Sequence, residues 1–340
     1  MNQVLIANQR EIVQLLPMAE CIEVMAGALQ ALAAGQALLP LRTMMLLPGG
    51  PPEAQNLMGL MPSYLGSIQA FGVKVIAAFP GNYGSQFDTH QGVVILFDAQ
   101  NGMLRAILDG TSITAIRTAA VSGVATSLLA RQDAGDLALI GAGTQARTHL
   151  EAMKTVRNLR RVRVYSLPLE GAYAFAEREA RRNGIPVEVK LTASEAVEGA
   201  DIICTTTTSH EPVLKGEWVS PGAHINAVGA FQPTTRELDT QAVVQARLYV
   251  DRRESTLHEA GEFLIPKSEG GIGDEHIIGE LGEVLSGKAP GRGSPDEITL
   301  FKSLGIAIED LAAAHHVLHK ALESHTGAWL EIGGQHFGSA

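Results

Sequence analysis

Three basic residues stand inside apolar stretches of this chain. Lys74 interrupts Val73-Lys74-Val75-Ile76-Ala77-Ala78, and Arg117 interrupts Thr114-Ala115-Ile116-Arg117-Thr118-Ala119-Ala120. Arg42 lies between Pro40-Leu41 and Thr43-Met44-Met45. Any one of them alone reads equally well as a cation whose stem lies on apolar surface while its head reaches water. As a set, they point to recognition of a small carboxylate, with Arg supplying bidentate hydrogen bonds and Lys a point charge.

Downstream, an apolar run ending in Ile140 leads straight into Gly141-Ala142-Gly143-Thr144-Gln145-Ala146, and a helix-compatible segment follows. This G-x-G-x-x-A pattern is weak alone but specific between a strand and a helix. Gly141 permits the tight turn, Gly143 lets a pyrophosphate approach the backbone, and Ala146 lets helix and strand pack closely. The phosphates then meet free N–H groups at a helix N-terminus. The next strand ends Tyr165-Ser166-Leu167-Pro168, with no acid at its tip to bind a ribose 2′-hydroxyl, and Glu170 comes late. Ser166 repels no 2′-phosphate and can donate to one, with Arg147 near the glycine turn as a further aid. NADP is therefore the preferred expectation, with NAD also usable.

These residues need a scaffold, and the rest of the chain supplies one. At 340 residues it is longer than one typical domain, so two are expected. An apolar fraction of 46% with 18% charged residues is globular, and a net charge of -10 argues against nucleic acid as a main partner. Cys21 and Cys204 read as buried thiols, without zinc spacing. No secretory signal and no apolar run of about 18 residues is seen, so a cytoplasmic protein without a membrane partner is expected.

The first part of the chain is rich in strands joined by turns. Residues 3–6 form a short strand and residues 18–34 an amphipathic helix stopped by Gly35. After the stretch 39–47 and a Pro-Gly turn at 48–52, residues 57–62 and 71–80 read as further strands. Residues 91–98 and 103–108 form a hairpin. This implies a mostly antiparallel sheet. From residue 136 the pattern changes to strands alternating with helices, which implies a parallel doubly wound sheet with ligands beyond the strands' carboxyl ends. Residues 268–295 read as a loop region with a short helix near 276–285, and residues 304–324 as a long helix returning to the first domain. His315 and His319 on that helix have i, i+4 spacing, but no acidic motif accompanies them. A surface or packing role is expected, and no metal site.

The quoted stretches resemble the ornithine cyclodeaminase/mu-crystallin family over nearly the whole chain. The same likeness extends through Pro40-Leu41-Arg42, Gly72-Val73-Lys74, Phe79-Pro80-Gly81-Asn82, His90-Gln91-Gly92, Ile225-Asn226-Ala227-Val228-Gly229-Ala230, Arg236-Glu237-Leu238-Asp239, Lys302-Ser303-Leu304-Gly305 and Glu309-Asp310. The resemblance implies a Rossmann-type NAD(P)-binding domain, residues 119–310, and an α+β dimerisation and substrate domain, residues 1–118 and 311–340. It implies a homodimer. Arg42, Lys74 and Arg117 would surround a substrate carboxylate, with Ser303 and Leu304 close to substrate and nicotinamide. Thr89, Arg117, Gly141, Gly143, Thr144, Gln145, Ala146, Ser166, Thr206 and Ala227, Val228, Gly229 and Ala230 would form the cofactor site.

One departure from the family pattern carries weight. Its ornithine cyclodeaminases and alanine dehydrogenases have an Asp directly after the Val-Gly-Ala turn, where this chain has Phe231. Phe can neither accept a proton nor bind an ammonium by charge, so ornithine cyclisation is not expected. A preformed cyclic imine with an apolar ring is the better fit, as in the family's ketimine reductases, which reduce Δ1-pyrroline-2-carboxylate to proline and Δ1-piperideine-2-carboxylate to pipecolate. Lys74 and Arg117 are the candidate catalytic residues, with Lys74 or an ordered water giving the imine proton. The alternatives are an alanine or N-methyl-amino-acid dehydrogenase, and a non-catalytic NADPH-binding protein of mu-crystallin type.

Overall fold

The computed structural model describes residues 3–48, 56–82 and 85–334, so most of the expected turn at 48–52 lies outside the described residues. The chain divides into two units. One comprises Met1–Arg117 with Ile306–Ala340, the other Thr118–Gly305.

The first unit runs β1 (Gln3–Ala7), α1 (Gln9–Leu15), α2 (Met18–Ala33), β2 (Ala37–Leu38), β3 (Thr43–Leu46), β4 (Leu57–Leu65), β5 (Ala70–Ala78), β6 (His90–Asp98) and β7 (Leu104–Asp109). The helix α3 (Gly110–Leu129) follows at once and carries the chain out of this unit. The side chain of Asp109 caps it by accepting from the N–H of Ser112 at 2.8 Å. Strands β4, β5, β6 and β7 pair antiparallel in sequence order, as the turn-joined pattern implied. β1 adds parallel to β7. Helix α1 was not anticipated: it is seven residues long and buries only Ile12 and Leu15, too few to set a visible period.

The second unit begins with β8 (Asp136–Ile140) and α4 (Thr144–Val156), then β9 (Arg161–Tyr165), α5 (Leu169–Asn183), β10 (Val187–Val189), α6 (Ala193–Val197) and β11 (Ile202–Thr205). It continues through β12 (His224–Ala227), α7 (Thr240–Val244), β13 (Arg247–Val250), α8 (Arg253–Glu259), α9 (Gly261–Ser268), β14 (Ile277–Glu280), α10 (Leu281–Leu285) and β15 (Thr299–Lys302). Its sheet has the order β10-β9-β8-β11-β12-β15-β13-β14, and every pairing is parallel. Residues Leu137, Ala138, Leu139 and Ile140 of β8 are at most 1% exposed, as a strand covered on both faces requires. Asp201 fixes the start of that strand: its Oδ2 accepts from the N–H groups of Gly135 and Asp136 at 2.9 and 3.0 Å.

Two strands correct the expected pattern. Residues 277–280 are strand β14 rather than loop or helix, and residues 299–302 are strand β15, buried in the middle of the sheet. The chain then re-enters the first unit as α11 (Ala307–Ser324), which ends in β16 (Ala328–Glu331), antiparallel to β1. α11 starts three residues later than expected because residues 303–306 are irregular, with Gly305 at a φ of 73°. It packs on β4, β5, β6 and α2, so residues 306–310 belong with the first unit rather than the second.

Helix α3 is apolar on all sides and long enough to cross a membrane by composition, yet 83% of its apolar window is buried inside the protein. A helix apolar all round is a core helix when so covered. Cys21 and Cys204 are buried free thiols, and burial pushes the Cys204 thiol up to about 12. His315 and His319 lie in contact on α11, their rings tilted by 50° and their Nε2 atoms 3.1 Å apart, and burial, then the His319 charge, pushes His315 down to about 4.

Candidate active site

Lys74 sits in the middle of β5, paired on one side with Met61 of β4 and on the other with Val94 of β6. It is only 3% exposed. Its Nζ lies 2.7 Å from Asp310 Oδ2 and donates to Thr114 Oγ1 at 3.5 Å. Arg117, on α3, donates from Nε to Asp310 Oδ1 and from Nη1 to Glu309 Oε2, each at 2.8 Å. Asp310 therefore bridges two cations, one through each oxygen. Glu309 Oε2 also accepts from the N–H of Ile306 at 3.3 Å, which ties this pair to the first turn of α11.

The electrostatics follow from burial. Desolvation pushes the Lys74 ammonium down most strongly; Asp310 pulls it back up, while Arg117 and then Arg42 push it down, leaving it at about 8. Burial raises Asp310, but Arg117 and Lys74 together outweigh it and hold the carboxyl below its ordinary range. Arg42, half-buried between β2 and β3, thus lies within electrostatic reach of Lys74. The structure brings together the three cations singled out in the sequence. It also shows that two of the three guanidinium nitrogens of Arg117 are engaged by the protein's own acids. The sequence reading treated all three cations as ligand groups and gave Glu309 and Asp310 no role. Three cations and two carboxylates thus lie together in this unit, with Asp310 shared between Lys74 and Arg117.

Thr89, also in this unit, precedes β6; its carbonyl accepts from the N–H of Phe79 at 2.8 Å and its Oγ1 shares a hydrogen bond with His90 Nδ1 at 3.1 Å. Burial holds His90 below its ordinary value.

In the second unit, Gly141 follows β8 with φ of 113°, and a Cβ there would lie 2.8 Å from the carbonyl oxygen of Thr206. Only glycine fits. Gly143 is different. It caps α4 with φ of -90° and ψ of -164°, a conformation open to any residue, and an added Cβ would meet nothing within 4 Å. The protein's own packing does not ask for glycine there; a group laid against the helix N-terminus does, and a pyrophosphate fits that place. Thr144 opens the helix, exposed, and Ala146 is fully buried against the sheet. Gln145 Oε1 is buried without a hydrogen-bond partner among the described residues, an acceptor suited to a ligand hydroxyl. Behind it, His149 Nδ1 meets the Gln145 carbonyl at 2.7 Å and Nε2 meets Ser122 Oγ at 2.9 Å; burial pushes this ring down to about 4, so it is neutral. These residues fit a dinucleotide.

The other expected cofactor residues lie beyond strand ends of the same sheet. Ser166 is half-buried just after β9. The charged neighbours of Arg147 are Arg182, Glu151, Glu179 and Arg178, on its own helix and the second half of α5. Thr206 Oγ1 donates to the Ile140 carbonyl at 3.2 Å. Ala227, Val228 and Ala230 are buried around Gly229, and Phe231 packs half-buried on the core of this unit. The N–H of Ser303 donates to the Ala227 carbonyl at 3.0 Å, and the N–H of Leu304 to Asp251 Oδ2 at 2.7 Å. Phe231, Ser303 and Leu304 thus belong to the dinucleotide unit, whereas Arg42, Lys74, Thr89 and Arg117 belong to the unit with the cation cluster. No group of three or more His, Cys, Asp or Glu that could hold a metal occurs among the described residues.

One unit with a parallel doubly wound sheet and an open glycine turn, and another carrying buried cations, define a two-domain nicotinamide-dinucleotide protein. The chain belongs to the ornithine cyclodeaminase/mu-crystallin family, whose model matches residues 2–325. It is 39% identical over 330 residues to a Δ1-pyrroline-2-carboxylate reductase of Bacillus cereus, covering 97% of this chain and 99% of that one. Its structure matches that of the Thermococcus litoralis Δ1-pyrroline-2-carboxylate reductase solved with NADH and L-proline, at a TM-score of 0.92 and 40% identity, covering 96% and 99% of the two chains. It also matches an archaeal alanine dehydrogenase dimer with bound NAD, at a TM-score of 0.89 and 34% identity, covering 97% and 100%.

The two glycines give a paired test. Gly143→Ala should leave unfolding free energy within about 1 kcal/mol of the parent, yet raise the Kd for NADH by about tenfold or more. Gly141→Ala should lower stability itself, because its backbone is left-handed and the space is filled. Urea unfolding beside NADH fluorescence titration reads both. Unchanged NADH affinity in Gly143→Ala would remove the phosphate from that turn.

Proposed function

We propose that this protein reduces cyclic ketimine carboxylates with NAD(P)H, converting Δ1-pyrroline-2-carboxylate to L-proline and Δ1-piperideine-2-carboxylate to L-pipecolate. The observation that carries the reading is the cluster of Arg42, Lys74 and Arg117 with Glu309 and Asp310, whose cations suit a carboxylate and whose buried lysine, held on Asp310, is placed at about 8. The likeness to two reductases of this substrate, one solved with NADH and L-proline, supports it.

In this reading Arg42, Lys74 and Arg117 orient the substrate carboxylate and hence the C=N bond. The 141–146 turn, Ser166, Thr206 and the 227–230 loop would hold NAD(P)H, whose chemistry when bound would be hydride donation to the imine carbon. The ring nitrogen needs one proton, and Lys74, charged below about pH 8, is our candidate donor, with Asp310 retaining the ammonium's orientation. Phe231 offers a ring an apolar wall and leaves no carboxylate for cyclising an open-chain diamine. The neighbours' NADH and NAD favour testing NADH on equal terms with the NADPH that Ser166 suggested.

The runner-up is reductive amination of a keto acid, which the likeness to an alanine dehydrogenase favours. Initial rates with the two cyclic imines, with pyruvate plus ammonia and with ornithine, each with NADH and NADPH, separate the readings. Turnover should be largest with a cyclic imine; faster turnover of pyruvate plus ammonia would overturn the proposal.

Lys74→Met should cut kcat/KM for Δ1-pyrroline-2-carboxylate by about two orders of magnitude or more, leaving NADH affinity nearly intact. In the parent, kcat/KM should fall as pH rises through about 8, because the free enzyme then loses the Lys74 proton. A rate that stays flat from pH 7 to pH 10 would take the proton away from Lys74.

We further propose a homodimer. The strand β3 leaves Met44, Met45 and Leu46 exposed at 37%, 49% and 58%, and Leu38 of β2 at 69%, a run of large apolar side chains on one edge of the first unit. Light scattering should give twice the 36.0 kDa chain mass, and a monomer at micromolar concentration would refute the assembly.

A further inference from the structure

We propose that Glu237 is the positioning residue for the nicotinamide end of the cofactor site, acting through the two loops that follow β11 and β12. The inference rests on the dinucleotide reading above and extends it to a residue that touches neither cofactor nor substrate.

Glu237 lies in the segment between β12 and α7 and is fully buried. Its carboxylate accepts four hydrogen bonds. Oε1 takes the N–H and the hydroxyl of Thr207, at 2.6 and 2.8 Å. Oε2 takes the N–H of Gly229 and the hydroxyl of Thr205, at 2.7 and 2.8 Å. One oxygen thus serves the loop after β11 and the other reaches the loop after β12. The two loops are in contact: a Cβ on Gly229 would lie 2.0 Å from the Thr207 carbonyl oxygen and 2.6 Å from Glu237 Oε1.

The residue is itself held at three points. Its N–H donates to Glu262 Oε1 at 3.0 Å, and its carbonyl accepts from the N–H groups of Val213 and Leu214 at 2.7 and 2.9 Å. Glu262 is ion-paired to the fully buried Lys302, 3.1 Å away. Lys302 in turn donates to the carbonyls of Ala230 and Ala227, at 2.6 and 3.3 Å. The 227–230 loop is therefore gripped at an N–H by Glu237 and at two carbonyls by Lys302.

The placement gives this grip its purpose. The sheet order changes direction at β8, with β9 and β10 on one side and β11, β12 and β15 on the other. A dinucleotide lies across such a switch point, its pyrophosphate at the β8 turn and its two nucleosides on either side. The glycine turn and Ser166 serve the adenosine side. Thr206 and the 227–230 loop serve the nicotinamide side, and those are the loops Glu237 ties together. Thr207 and Gly229 both lie beyond their strands, so these bonds complete no strand pairing.

All four partners point donors at Glu237, and this makes Gln a sharp probe. The two hydroxyls can turn and accept from a Gln amide, but the N–H groups of Thr207 and Gly229 cannot. Whichever way the amide is placed, one loop loses its acceptor.

The test compares NADH with ADP-ribose, which has the adenosine and pyrophosphate but no nicotinamide. Calorimetric titration of the full-length parent, Glu237→Gln and Thr207→Val would give Kd for each ligand without any imine present. Glu237→Gln should weaken NADH about tenfold or more while ADP-ribose stays within about twofold. Thr207→Val, which removes one hydroxyl and keeps the N–H, should move NADH in the same direction by a smaller factor. Equal weakening of both ligands, or no change in either, would overturn the proposal; if Glu237→Gln does not fold, the Thr207→Val ratio decides by the same criterion. A parent that shows the expected ratio yet turns over no ketimine would refute the proposed reaction and leave this role standing. A parent that binds neither NADH nor NADPH would refute both.

Discussion

Asp310 is shared. Its two oxygens hold Lys74 at 2.7 Å and Arg117 at 2.8 Å, and all three side chains are at most 4% exposed. Taking such charges out of water is costly, and their attraction repays it only when all partners are in place. Loss of one partner from a buried pair costs on the order of 3–5 kcal/mol, because the other charge is then stranded. The carboxylate therefore links three elements that are distant in the chain: β5, α3 and the first turn of α11. It also sets the chemistry. Without it the lysine would be driven further toward its neutral form by burial and by two arginines, and could neither attract an anion nor give up a proton at neutral pH.

The second unit uses the same device on irregular backbone. Asp251 receives the N–H groups of Leu304 and Gly305, each at 2.7 Å, as Glu237 receives those of Thr207 and Gly229. Loops at the carboxyl ends of strands have unpaired donors that neither helix nor sheet satisfies. Buried carboxylates supply the acceptors, so the loops can stay short, dry and fixed. Burial and the neighbouring Glu262 raise Glu237, and Lys302 and the Thr207 donors act in the opposite direction. The benefit is precision of shape rather than net stability, since apolar packing would stabilise at least as well.

Much of this was legible in the sequence. The parallel sheet announced itself through short apolar runs, and the glycine turn through its spacing. The cations were visible because a charge inside an apolar strand or helix is unusual. What was hidden is equally physical. β14 and β15 are four residues each, one in a stretch rich in glycine and acids, too short to show a period. Glu309 and Asp310 look like ordinary acids at a helix start, where the dipole favours them on any surface. Their partner Arg117 is more than 190 positions away, and no local pattern encodes such a pairing. Phe231 carried information only as a departure from a family pattern.

The first unit is interrupted, and its second segment is made only after the whole of the second unit. Arg117 is separated from Asp310 by 193 positions. At about 5–20 residues per second of synthesis, that gap is on the order of 10–40 s. Throughout that interval Lys74 and Arg117 lack Glu309 and Asp310 and cannot be buried without penalty, while the dinucleotide unit is itself still being made: β15, which lies between β12 and β13, ends at Lys302, just before α11. The two units therefore wait on the same stretch: residues 299–302 fill the gap in the parallel sheet, and residues 309 and 310 supply the acids of the cation cluster. A chain stopped short of residue 299 would lack both the finished sheet and the acids of the cluster.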